Sequence, residues 1–185
     1  MTKNNSRTWL WIGLGFAVFW VLYLAFLGPR RPPLLEDPGM RQPATYEWSL
    51  SDLNDRPVPF ARFKGKPIFL NIWATWCGPC VREMPSIARL AQEPRLQGKG
   101  IEFVCVSVDD SSDMVRRFLE GRSWSMAFLR ADRLPAVFRT EGIPATFLIA
   151  PDGRIAAFVE GAAEWDAPEV VRFLEKLAAS PRPAG

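Results

Sequence analysis

The sequence has no histidine among its 185 residues and only three cysteines. Without histidine, a chain cannot form a Ser-His-Asp triad, a Cys-His nucleophile pair or most catalytic zinc sites. A c-type haem site is excluded too, because it needs a histidine directly after the second cysteine. Three cysteines are also too few for a Cys₄ zinc site. We therefore expect chemistry based on thiols, carboxylates or amines, with no metal and no other cofactor.

An excess of charge of one sign is also lacking. The 23 Lys and Arg residues nearly balance the 20 Asp and Glu residues, and the formal net charge is only +3. The basic residues are spread along the chain, whereas nucleic-acid-binding domains usually show a basic face or run. Nucleic acid is therefore not an expected partner. The hydrophobic content of 48% is normal for a globular protein, and the length fits one domain with appendages.

One long stretch, residues 8–27 (TWLWIGLGFAVFWVLYLAFL), carries no charge. A helix of this length reaches about 30 Å, the hydrocarbon thickness of a bilayer. A cleaved signal peptide is the alternative, but its apolar core is usually shorter and ends at a small-x-small site. We predict a transmembrane anchor over 8–27, preceded by a tail at 1–7. Basic residues flank the stretch on both sides, so their count does not decide the orientation.

The residues after this stretch divide into three parts. Residues 28–43 contain five prolines, which is typical of an extended tether. Residues 44–180 have the mixed composition of one folded domain. Residues 181–185 are expected to form a flexible tail.

Apolar runs alternate with amphipathic stretches within the predicted domain. The expected strands are 45–50, 66–73, 101–109, 145–150 and 154–160, and the expected helices are 77–92, 112–122 and 166–179. The last two strands should form a hairpin, because Asp152-Gly153 between them is a strong turn signal. This order of elements predicts an α/β domain with a mixed sheet.

Two of the cysteines lie in the segment WATWCGPCVREMP, residues 73–85. Cys77 follows an expected buried strand and begins a helix, where free backbone N–H groups and the helix dipole favour a thiolate. Cys80, one turn further, is placed to attack a mixed disulfide formed by Cys77. Gly78 and Pro79 suit the tight entry into the helix. An inert structural disulfide is the alternative, but the preceding strand and following helix favour a redox centre.

The segments GKPIFLNIWATWCGPCVREMP and GIPATFLIAPDGRI together resemble membrane-anchored thioredoxin-like proteins of the TlpA/ResA/CcmG (DsbE) family. The resemblance covers about residues 44–178. It implies a thioredoxin fold with an N-terminal strand extension, on the periplasmic face of a bacterial inner membrane, and therefore a cytoplasmic tail at 1–7. It also implies a protein-disulfide reductase that serves cytochrome c or cytochrome oxidase biogenesis. The segment EGAAEW favours the TlpA-like branch.

The same resemblance implies roles for individual residues. Cys77 is the attacking thiol and Cys80 the resolving thiol. Pro144 matches the family's cis-proline, which lies against the active-site disulfide and leaves the preceding backbone free to pair with a substrate strand. The expected substrate-binding residues are Trp76, Gly78, Pro79, Ile143 and Pro144.

Two further positions concern proton transfer. Asn71 stands where thioredoxin has a buried aspartate, and an amide cannot titrate. Glu83 matches an active-site glutamate of ResA-like proteins and lies one helical turn from Cys80, so we predict a catalytic role in proton transfer. The alternative is a solvated surface glutamate. Cys105, between valines, is expected to be a buried apolar residue.

Two other functions fit a Cys-x-x-Cys pair. A Cu(I) chaperone would use Cys77 and Cys80 as soft ligands, but related copper chaperones add a histidine, which this chain lacks. A general disulfide oxidase is the other alternative, and the Gly-Pro insert of thioredoxin favours reduction instead. The expected partners are a disulfide-containing protein, either an apocytochrome c or an oxidase-assembly protein, and a membrane electron donor of the DsbD/CcdA type.

Overall fold

The computed structural model describes residues 5–26 and 42–181. The first range is a single helix, α1 (Asn5–Phe26), and residues 9–20 along it are exposed. No helix in the two described ranges is long and apolar enough to cross a membrane. The predicted transmembrane anchor at 8–27 is therefore not confirmed. The predicted tether at 28–43 and tail at 181–185 lie almost entirely outside the described residues.

Residues 42–181 fold around a seven-stranded mixed sheet with the strand order β2-β1-β5-β4-β3-β6-β7. The strands are β1 (Ser49–Ser51), β2 (Pro57–Pro59), β3 (Ile68–Trp73), β4 (Glu102–Ser107), β5 (Ala127–Arg130), β6 (Ala145–Ile149) and β7 (Ile155–Glu160). The helices of this unit are α2 (Gly78–Ala91), α3 (Ser112–Leu119) and α4 (Pro168–Ala178). Strands β3, β4 and β5 are parallel to one another, and the other pairs are antiparallel.

Strand β3 lies in the middle of the domain, and all six of its residues are buried. Phe69 and Trp73 pack into a cluster that includes side chains of α2, α3 and α4. Ile68 and Leu70 point to the other face, where aromatic side chains such as Phe138 cover the sheet. The sequence of a strand that is covered on both faces is a nearly continuous run of apolar residues. Polar Asn71 interrupts that run.

The predicted α/β domain with a mixed sheet is confirmed, although several boundaries differ. The predicted strand at 45–50 overlaps β1 only at its end, and β2 was not predicted. Prolines at both ends of β2 argue against a strand, but an edge strand tolerates them because it needs no ladder N–H on its free side. The pair β1–β2 forms the expected N-terminal strand extension. The short strand β5 was also not predicted, since its four residues show no clear alternation.

Candidate active site

Strand β3 leads directly to a disulfide at the start of α2. Cys77 and Cys80 are joined by an S–S bond of 2.08 Å. Cys77 is the N-cap residue of α2 with an extended backbone, and the Cys80 N–H points at the Cys77 sulfur from 3.2 Å. Pro79 occupies the first turn, where a helix needs no donor from it. After reduction, the Cys80 N–H and the positive end of the helix dipole would stabilise a Cys77 thiolate.

The two cysteines differ slightly in their exposure to solvent. Cys77 is 6% exposed, whereas Cys80 is completely buried. Trp76, directly before Cys77, is 65% exposed. An incoming disulfide therefore meets Cys77 first, and Cys80 can be reached only through Cys77.

The segment GIPATFLIAPDGRI meets the active-site segment at Ile143 and Cys77. The Ile143–Pro144 peptide bond is cis, as the resemblance implies. The Cys77 sulfur lies 3.6 Å from the Ile143 carbonyl oxygen. In the disulfide this is only a contact, because the sulfur carries no hydrogen, whereas a Cys77 thiol could donate there. The structure thus brings the predicted residues Trp76, Cys77, Ile143 and Pro144 into one region.

Glu83 is completely buried, so the alternative of a solvated surface glutamate is wrong. Its Oε1 accepts a hydrogen bond from Asn71 Nδ2 at 2.8 Å. Its Oε2 accepts from Trp165 Nε1 at 2.9 Å and from the Ala163 N–H at 3.0 Å. All three donors serve the one carboxyl group, which is the pattern that a buried carboxylate requires.

Burial raises the pKa of Glu83 to about 7. Removal from water disfavours the charged form, and this effect exceeds the opposing hydrogen bonds from Trp165, Ala163 and Asn71. Glu83 can therefore change its protonation state near neutral pH. A group with such a pKa is suited to accept and return a proton at that pH.

Asn71 connects Glu83 with the neighbouring strands. Its Nδ2 also donates to Thr146 Oγ1 at 2.9 Å, while its Oδ1 is buried without a hydrogen-bond partner among the described residues. Cys105 and Thr146 are its cross-strand neighbours on β4 and β6. Burial, and secondly the charge of Glu83, raise the pKa of Cys105. Cys105 is therefore the neutral buried thiol that the sequence predicts, and it is not a nucleophile.

Sequence reasoning missed the partners of Glu83. Trp165 and Ala163 lie about eighty residues beyond it, and no local pattern connects them. The segment EGAAEW contains both residues, but in the sequence it indicated only a family resemblance and no contact with Glu83. Within residues 5–26 and 42–181, no group of three or more Cys, Asp or Glu side chains is arranged to hold a metal ion.

This fold and site define a class of protein, namely a thioredoxin-like domain with a redox-active disulfide. Comparison with known proteins agrees. Residues 38–174 match the family model described as Redoxin. ResA, a thiol-disulfide oxidoreductase of Bacillus thuringiensis subsp. konkukian, is 30% identical over 132 residues, covering 69% of this chain and 73% of the relative. ResA of B. thuringiensis strain Al Hakam is 27% identical over 181 residues, covering 96% and 99%.

A solved structure shows the same likeness. MTB dsbF, in its mixed oxidized and reduced forms, matches with a TM-score of 0.57 and 25% identity, covering 71% of this chain and 96% of that one. The chain belongs to the redoxin family and, within it, to the TlpA/ResA/CcmG group of thioredoxin-like proteins. It is a thiol–disulfide oxidoreductase. The preference for the TlpA-like branch stays a prediction, since the two curated relatives above are both named ResA.

Proposed function

We propose that this protein is a protein-disulfide reductase that acts during cytochrome c or cytochrome oxidase biogenesis. The observation that carries the proposal is the Cys77–Cys80 pair at the start of α2, with Cys77 the more exposed of the two cysteines. The Gly-Pro insert between the cysteines, which is that of thioredoxin, supports reduction over oxidation. The pathway is supported by the family resemblance.

The proposed reaction is a two-step exchange. The Cys77 thiolate attacks one sulfur of the substrate disulfide, a mixed disulfide forms, and the other substrate sulfur leaves as a thiolate. The Cys80 thiolate then attacks the Cys77 sulfur, which restores the Cys77–Cys80 disulfide and releases the second substrate thiolate. The substrate gains two electrons and two protons, and the enzyme loses them. The buried position of Cys80 restricts its attack to the sulfur of Cys77.

Glu83 is the proposed proton acceptor for Cys80. It lies on the same helix, three residues later, and its pKa of about 7 lets it take a proton at neutral pH. Its negative charge also opposes a thiolate nearby. We expect Glu83→Gln to lower the apparent pKa of Cys77 and to slow release of substrate from the mixed disulfide. Thiolate absorbance against pH tests the first effect; superimposable curves with unchanged turnover would remove Glu83 from the mechanism.

The proposed setting is the periplasmic side of a bacterial inner membrane, with the uncharged stretch 8–27 as the anchor and a membrane donor of the DsbD/CcdA type as the electron source. The uncharged stretch 8–27 and the exposed apolar side chains at 9–20 support anchoring. The donor is needed because each turnover leaves the enzyme oxidised. A reporter fused after the last residue should be active only outside the cytoplasm, and cytoplasmic activity would contradict this setting.

Trapping tests the substrate class. Cys80→Ser should accumulate a mixed disulfide between Cys77 and a substrate protein, because no resolving thiol remains. Cys77→Ser is the matched control and should trap nothing.

The reduction potential of the Cys77–Cys80 pair tests whether the protein reduces or oxidises its substrates. Equilibration of the wild-type protein with glutathione should give about −270 mV, and a value near −120 mV would indicate an oxidase instead.

A further inference from the structure

Asp109 is a buried carboxylate that the reaction described above does not use. It lies two residues after β4 and is only 1% exposed. Its Oδ2 accepts hydrogen bonds from the Thr75 N–H at 2.9 Å and from Ser107 Oγ at 2.6 Å, and its Oδ1 accepts from Thr75 Oγ1 at 2.7 Å. A buried carboxylate is costly unless donors surround it. Two of the three donors belong to one residue, Thr75.

Thr75 lies in the short connection between β3 and the N-cap Cys77. Its main-chain N–H and its side-chain hydroxyl are both held by Asp109, so the residue is fixed at two points. Asp109 is fixed in turn, because its own N–H donates to Ser107 Oγ at 2.9 Å. The connection is thereby attached to the carboxyl end of β4.

The two residues that follow Thr75 depend on this attachment to different degrees. Cys77 is held by α2 itself, because it accepts from the Cys80 N–H through its sulfur and from the Val81 N–H through its carbonyl oxygen. Trp76 is 65% exposed, so packing contributes little to its orientation. The point from which the Trp76 side chain projects therefore depends on the backbone that Thr75 and Cys77 fix.

We infer that Asp109 is a positioning residue for substrate recognition: by holding Thr75, it fixes the backbone from which the indole of Trp76 projects directly before Cys77. The inference rests on the proposed function, since it concerns protein disulfides. A protein substrate must cover Trp76 to bring its disulfide to Cys77. When the backbone at Trp76 is already ordered, less conformational entropy is lost on docking. The thiolate itself does not need Asp109.

Steady-state reduction of insulin by the full-length chain, with a chemical dithiol as electron source, tests this inference. We expect Asp109→Asn and Thr75→Val to raise KM for insulin about three- to tenfold, the range that ordering part of a short loop on binding can supply. The value of kcat and the pH profile of the Cys77 thiolate should stay as in the wild type. A merely structural role would not produce this division between KM and kcat.

Two controls accompany these variants. Thr75→Ser keeps both donors and should retain the wild-type KM. Asp110→Asn removes the same charge from the neighbouring, exposed position and should also have no effect on KM. If Asp109→Asn does not fold, Thr75→Val still gives the measurement, because Thr75 is only half-buried and loses one hydroxyl.

The outcomes separate the inference from the proposed function. An unchanged KM in Thr75→Val and Asp109→Asn, with an active wild type, would overturn the role of Asp109 and leave the reductase intact. A fall in kcat in these two variants, together with a shifted pH profile of the Cys77 thiolate, would also overturn the positioning role, because Asp109 would then act on the thiol. A wild type that cannot reduce insulin would overturn the proposed function, and the inference with it.

Discussion

Glu83 makes stability depend on pH. Its pKa is raised from 4.5 to about 7 in the folded protein, so its protonated form is favoured by folding. The resulting stabilisation is complete below pH 4.5 and is lost as pH rises to about 7. The loss amounts to about 3 kcal/mol. Because the sequence has no histidine, it has no side chain whose ordinary pKa lies near neutrality.

We therefore expect Glu83→Gln to flatten the dependence of unfolding free energy on pH between about pH 5 and pH 8. Urea unfolding at several pH values measures it. Gln turns an N–H₂ toward one of the three donors, as the O–H of the protonated carboxyl group does, so the two proteins should differ least in stability at pH 5. Glu141→Gln, at an exposed position, should keep the wild-type slope. An unchanged slope in Glu83→Gln would show that Glu83 has an ordinary pKa.

Motif chemistry and family resemblance could identify Cys77, Cys80 and Pro144 from the sequence, because their roles depend on local spacing and on two short segments. The burial of Glu83 could not be predicted in this way. Its position borders the apolar face of α2, so the helical period allows either a buried or an exposed side chain. The buried position is stabilised by Trp165, which lies far away in the chain and donates a hydrogen bond to the Glu83 carboxyl group.

Helix α2 is attached to the segment between β7 and α4 along one face. Glu83 accepts from Ala163 and Trp165, Ser86 Oγ accepts from the Trp165 N–H at 3.1 Å, and Arg89 pairs with Asp166. Residues spaced by three lie on nearly the same side of a helix. The segment thereby fixes the helix that begins at the disulfide. Sequence patterns predicted both flanking elements but not this contact, which joins polar groups far apart in the chain.

The β6–β7 hairpin depends on the backbone of its turn. Gly153 has a φ of +87°, a conformation that costs a residue with a Cβ about 1–2 kcal/mol. A Cβ there would only touch Tyr46, at 3.4 Å, so the cost comes from the backbone. We expect Gly153→Ala to lower the unfolding free energy by that amount, measured by urea titration.

Gly142→Ala is the matched control for this hairpin variant. Gly142 is not among the positive-φ residues, and its Cβ would lie 3.6 Å from Glu160 Oε1, an ordinary contact. Its stability should stay close to that of the wild type. Equal losses in both variants would show that the turn at Gly153 does not require a left-handed backbone.

The chain divides into two units, Met1–Arg31 and Pro32–Gly185. All the contacts that build the active site, from Asn71 to Trp165, lie within the second unit. The order of the longer apolar runs in the sequence was enough to predict this α/β unit, because β3, β4, β6 and β7 are distinct runs, whereas the short strands β2 and β5 were missed. The pairing order could not be predicted, since it depends on contacts between strands far apart in the chain.

We expect a chain that begins at residue 42 to fold and to reduce insulin with the kcat and KM of the 185-residue chain, because the hydrogen bonds that hold Glu83 and Cys77 all lie within residues 42–181.

The two forms should differ only in location. If the uncharged stretch 8–27 is the anchor, the 185-residue chain sediments with membranes and resists extraction at alkaline pH, whereas the shortened chain stays in the supernatant. The shortened chain with Cys80→Ser is the control and should not turn over. Loss of folding in the shortened chain would contradict the independence of the second unit, and a full-length protein found in the supernatant would contradict the anchor.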